Sequence, residues 1–110
     1  MSFQHETLAA GRWAEFSLME QLANVGSEVE RALNWRRKNN PEFSRRAFER
    51  ALELLGLTIA DARHRGRLKE LTRMREALLD FFWGTNEYQS TDIGWKKYFL
   101  AFTYAARLKR

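Results

Sequence analysis

The sequence predicts an all-α protein, an up-down-up-down four-helix bundle with a long first helix. Three observations predict it. Apolar residues recur at spacings of three and four in four separate stretches. One proline and six glycines among 110 residues leave too few turn signals for a sheet-rich fold. Leu, Ala, Glu and Arg outnumber the β-branched residues, which is a helix-forming composition. A chain of this length makes one domain, residues 1–110, around a single modest core.

Residues 1–7 show no periodicity and are expected to fray. The first helix is expected from about Leu8 to Lys38, where Leu18, Leu22, Val25, Val29 and Ala32 form a seam. At 1.5 Å per residue it would be about 45 Å long and outrun its neighbours. Ala23, Gly26 and Ser27 on this helix are small and permit close approach of another helix. Asn40 is a good N-cap and Pro41 suits a first helical position, so a second helix is expected over 41–60. Its stripe is Phe48, Ala51, Leu52, Leu55 and Ile59. Asp61 either ends that helix or caps the next.

A basic turn, Arg63-His64-Arg65-Gly66-Arg67, precedes a third helix over 67–83, and Gly66 is free there to take a positive φ. The third helix carries Leu71, Met74, Leu78, Phe81 and Phe82 on one side. The stretch 41–82 therefore reads as an antiparallel hairpin around which the rest is organised. Gly84 ends the third helix, residues 84–91 form a loop, and Thr91 or Asp92 caps a fourth helix over 92–108. Trp95, Phe99, Phe102 and Ala106 form one row of that last helix.

Charge is segregated along the chain. Residues 1–30 hold five acids and one base, and residues 31–75 hold thirteen bases and five acids, a net +8. Residues 76–95 hold four acids and no base, and residues 96–110 hold five bases and no acid. A segregated basic surface suits a polyanionic partner, and it equally suits plain solvation of helix faces. The bundle topology would gather Arg36, Arg37, Lys38, Arg45 and Arg46 at one end, beside Trp35, Phe43, Trp83, Tyr88, Trp95 and Tyr98. The opposite end would gather Arg63, Arg65, Arg67 and Lys69 with the basic C-terminus. Bases beside exposed aromatics can hold RNA or single-stranded DNA by phosphate pairing and stacking. The same aromatics can instead cap the core or form a subunit interface.

Catalytic patterns are missing. With no cysteine there is no thiolate metal site, no disulfide and no cysteine nucleophile. Asp61 and His64 have ligand spacing, but Arg63 and Arg65 flank the histidine and would repel a cation. No Arg is followed by four to six residues and then a His, as in helical HEPN ribonucleases. Glu49, Glu53, Glu76 and Asp80 are expected to pair with Arg and Lys on neighbouring turns. There is no Gly-rich phosphate loop. The expectation is a non-enzymatic protein with no cofactor. The first residues, MSFQHETLAAGRWAEF, carry no secretory pattern, and no apolar run approaches a membrane span of ~20 residues. A soluble cytoplasmic protein without a membrane partner is expected.

In architecture and charge the chain resembles two groups of small bacterial four-helix proteins. One is encoded by intervening sequences of 23S ribosomal RNA genes, and the other is the basic accessory protein of diversity-generating retroelements. The resemblance is one of fold pattern over the whole chain and carries over no site residue. It implies self-association and contact with RNA. The sequence thus leaves two functions open: a nucleic-acid-associated or scaffolding protein, and an oligomeric adaptor that docks an acidic protein. The long first helix and the abundance of aromatics lead to the further expectation of a homo-oligomer.

Overall fold

A computed structural model describes residues 11–108. Its elements are a short 3-10 turn (Trp13–Glu15), α1 (Leu18–Arg37), α2 (Pro41–Ala60), a 3-10 segment (Ala62–Arg67), α3 (Leu68–Trp83) and α4 (Asp92–Leu108). There is no strand among the described residues. The all-α, four-helix class is as the periodicity predicts.

The first helix is shorter than expected. Its seam residues are helical, but α1 begins at Leu18 because Ser17 and Glu20 close a capping box there. The Ser17 hydroxyl accepts from the Glu20 amide at 3.2 Å, and the Ser17 amide donates to Glu20 Oε1 at 2.9 Å. Two backbone N–H groups that would otherwise lack partners are satisfied, so the helix gains by starting there. Phe16 is extended, and Trp13 turns back onto the core. Residues 8–10, and the expected fraying of residues 1–7, lie outside the described part. With 20 residues each, α1 and α2 match in length among the described residues.

The α1–α2 turn follows its sequence closely. Asn39 takes a left-handed φ of 60°, which stops α1. The Asn40 side chain accepts from the Phe43 amide at 3.1 Å, and Pro41 opens α2. Near this turn Ser44 Oγ donates to the Ala32 carbonyl at 2.8 Å. At the far ends of the pair, Trp13 Nε1 donates to Thr58 Oγ1 and Gln21 Nε2 donates to Asp61 Oδ2. The organising pair is therefore α1–α2, and α1 also carries α4. The expected α2–α3 hairpin exists but packs less extensively. Small residues favour this: Ala32 on α1 and Ser44, Ala47 and Ala51 on α2 are buried, with Ser44 against the Ala32 carbonyl, and Gly26 faces α4. A Cβ at Gly26 would lie 2.6 Å from Phe99 Cβ, so only glycine permits this approach.

Asp61 both ends α2 and caps the 3-10 segment, accepting from the Arg63 amide at 3.0 Å. Gly66 lies inside that segment and does not take the positive φ expected of it; the 3-10 turns make the reversal without it. α3 returns along α2, with Phe82 stacked on Phe48 at 4.3 Å and Trp83 edge-on to Phe48 at 4.9 Å. The 84–91 loop is tied to the end of α3 by Asp80. Its carboxylate accepts from the Glu87 and Tyr88 amides at 2.9 and 3.0 Å, in place of the basic partner expected for it. Glu76 likewise meets the Tyr88 hydroxyl. Gly84 is needed at the end of α3, because a Cβ there would meet the Asp80 carbonyl oxygen at 2.9 Å. The Thr91 hydroxyl caps α4 by accepting from the Gly94 amide.

Candidate nucleic-acid interface

The corner where α1 turns into α2 brings together five of the predicted residues. Arg36 and Arg37 end α1, Lys38 follows, and Arg45 and Arg46 lie in the first turns of α2. Positive charge in the last turn of α1 is favoured by the helix dipole. Three of these side chains lie over aromatic rings. The Arg36 guanidinium sits 4.9 Å from the Phe81 ring centre and 5.8 Å from that of Phe82. Lys38 Nζ lies 5.3 Å from Trp35, and Arg46 lies 5.7 Å from Phe43. Trp35 and Phe43 meet edge to face at 4.9 Å and join the two helices.

Arg45 and Arg46 also form surface ion pairs, with Glu49 at 3.2 Å and Glu42 at 3.1 Å. Arg37 donates to Asn34 Oδ1. Exposed pairs of this kind contribute only about 0.2–1 kcal/mol, so they can yield to a phosphate. A recess of about 280 Å³ is lined by Arg36, Arg45, Pro41, Ser44, Phe82 and Trp83. Trp83 is 53% exposed and shares this recess with Arg36 and Arg45. Chemically this is a cationic corner with an accessible indole, able to neutralise phosphates and to stack one base.

The aromatics expected to cluster here divide. Trp35, Phe43 and Trp83 belong to the corner, whereas Tyr88, Trp95 and Tyr98 line a groove of about 960 Å³ between α3 and α4. Gly26 draws α4 onto α1, so the aromatic row of α4 is spent on α1 and on this groove. Arg67, at the end of the 3-10 segment, and Lys69, Glu70 and Arg73 of α3 line one wall of the groove. Burial raises the pKa of the Tyr98 hydroxyl, the Glu70 carboxylate adds to this, and Arg67 opposes it.

The second predicted set is less uniform. Arg63 is built into the fold: it donates to both Asp61 oxygens and, from Nη2, to the Phe16 carbonyl at 2.9 Å. Arg67 pairs with Glu70 at 3.0 Å. Arg65 and Lys69 carry no ion pair among the described residues. His64, weighed with Asp61 as a ligand pair, is buried, and its Nε2 lies 3.1 Å from Gln21 Oε1. Burial pushes the His64 pKa down; the nearby Asp61 carboxylate works upward, and Arg63 and Arg67 work downward. The Arg63 guanidinium holds the Asp61 carboxyl well below the ordinary carboxylate range. Burial opposes this, while the Arg63 amide, Gln21 and His64 support it. Among the described residues no group of three His, Asp or Glu side chains is arranged to hold a metal.

Sequence reasoning missed the α3–α4 groove, since no residue type announces where two helices diverge. It also missed the outward apolar stripe of α4, although the spacing of Ile93, Leu100, Tyr104 and Leu108 contains it. Comparison with protein families, curated proteins and solved structures finds no significant match. The fold and the corner together define a class: a basic all-α four-helix protein with cations layered over aromatic rings at one helix turn. No helix among the described residues is long and apolar enough to cross a membrane.

Proposed function

We propose that this protein is a non-enzymatic nucleic-acid-associated module that docks through the α1–α2 corner, with single-stranded RNA as its preferred partner. The observation that supports the reading most is the juxtaposition of Arg36 and Arg45 with the exposed Trp83 in one recess. The first two can meet phosphates and the third can stack a base. The preference for RNA rests on the resemblance of fold pattern and charge. A cytoplasmic setting accompanies this reading, as the absence of cysteine suits a reducing compartment.

A second reading, an adaptor for an acidic protein segment, draws on the α3–α4 groove, where Lys69 and Arg73 rim a floor that includes Met74 and Ala77. The two are separated by fluorescence titration with a single-stranded RNA oligonucleotide at about 50 mM salt. Arg37→Gln with Arg46→Gln leaves the recess intact and is expected to weaken binding and reduce the salt slope by about two counterions. Trp83→Ala is expected to cost about 1–3 kcal/mol of affinity without changing that slope. Arg73→Gln with Arg75→Gln serves as the matched control on α3. Equal losses at both pairs mean diffuse electrostatics, and no binding at all to RNA or single-stranded DNA removes the proposal in favour of the adaptor.

A further inference from the structure

α4 is apolar on two opposite faces. Its inner face places Trp95 and Phe99 in the core. Its outer face carries Ile93, Leu100, Tyr104 and Leu108, which are 67%, 65%, 64% and 67% exposed. At 100° per residue these four and the exposed Lys97 fall within an arc of about 80°. With one apolar face already in the core, the second is surplus apolar surface, and nothing in the described chain covers it. The order along the stripe is Ile93, Lys97, Leu100, Tyr104, Leu108, with an aliphatic residue at each end and in the middle.

We propose that this stripe pairs with the same stripe of a second copy, antiparallel, about a two-fold axis near Leu100 and Ala101. In that register Ile93 meets the partner's Leu108, Lys97 lies over the partner's Tyr104 ring, and the two Leu100 side chains pack near the axis. Asp92 in the first turn comes within a turn of the partner's Arg107, and the helix dipoles oppose. A parallel pairing would set Lys97 against Lys97 and Arg107 against Arg107 with aligned dipoles, so charge selects the antiparallel arrangement. Complete burial of the four apolar residues would remove at most roughly 550 Å² per copy, about 1,100 Å² in all, at the small end of specific interfaces. The interface is isologous and closes at two copies. Because it is apolar at its centre, it persists in salt that would dissociate nucleic acid from the basic corner. Dimerisation through α4 is therefore independent of the functional reading above.

Sedimentation equilibrium of the full chain in about 300 mM salt is the first test. A reversible dimer is expected at tens of micromolar, and a monomer at ~200 µM overturns the proposal. Leu100→Glu with Tyr104→Glu changes only exposed positions and is expected to give a folded monomer by circular dichroism. Leu68→Glu on α3, also exposed, is expected to leave the dimer intact. A dimer that survives the double substitution overturns the assignment to α4. The absence of cysteine allows a second test of register. Ile93→Cys mixed with Leu108→Cys is expected to form a disulfide between the two variants, whereas Ile93→Cys alone is expected not to cross-link. Ready self-cross-linking of Ile93→Cys refutes the antiparallel pairing.

Discussion

At the scale of single residues, the most informative side chain is His64. It reads as a ligand candidate in the sequence and is a buried hydrogen-bonding residue in the fold. In its neutral form Nε2–H donates to Gln21 Oε1, and Gln21 in turn donates to Asp61 and to the Trp13 carbonyl. Its pKa is lowered in the folded protein, so the unfolded chain binds a proton more readily than the folded one. Stability from this residue is then complete above the unfolded value of about 6.5 and falls as pH drops below it, until the folded value is passed. Thermal melts from about pH 7.5 to 5 are expected to show a falling midpoint for the wild type. His64→Asn is expected to be less stable at the upper end of that range and to flatten that part of the profile. A wild-type midpoint that rises on acidification would show that Asp61 dominates the site.

At the scale of elements, local chemistry sets the helix ends, and most of it is readable. Asn40 and Pro41 announce α2, and Gly84 and Thr91 bound the last loop as their types suggest. The start of α1 is the instructive case. Apolar periodicity continues upstream through Phe16 and Trp13, and periodicity alone extends the helix to Leu8. The Ser-x-x-Glu box over Ser17–Glu20 is equally present in the sequence and prevails, because it satisfies N–H groups that an uninterrupted helix would have to satisfy further upstream. Ser17→Ala is expected to destabilise the protein by about 1 kcal/mol in urea unfolding. If the box sets the boundary, Glu20→Ala produces a similar loss and the double variant is less than additive.

For the whole molecule, the decisive contact is α4 on α1. Gly26 and Gly56 look alike in sequence, each a glycine inside a helix, and the fold separates them. Gly56 is exposed, and a Cβ added there would meet nothing within 4 Å, whereas Gly26 lies against Phe99. Gly56→Ala is expected to stabilise by up to about 1 kcal/mol through helix propensity and a less flexible unfolded chain. Gly26→Ala gains the same propensity but must push α4 away, and a net destabilisation of about 1–2 kcal/mol is expected in the same urea experiment. A stabilising Gly26→Ala would mean that α4 does not dock as closely as described.

The helical class, three of the four helix starts to within a residue, and the five basic residues of the α1–α2 corner are legible in the residues alone. These follow from periodicity, capping and chain connectivity, which act over a few residues. Packing of the folded chain makes α1 the shared element, holds Arg63 on Asp61, and leaves Trp83 exposed where Trp95 is buried. It also decided that α3 and α4 diverge to leave a groove and that α4 keeps an uncovered apolar stripe. The physical reason is that helix–helix distance is set by which small residues face which large ones. That matching, as between Gly26 and Phe99, joins positions far apart in the chain and has no local signal.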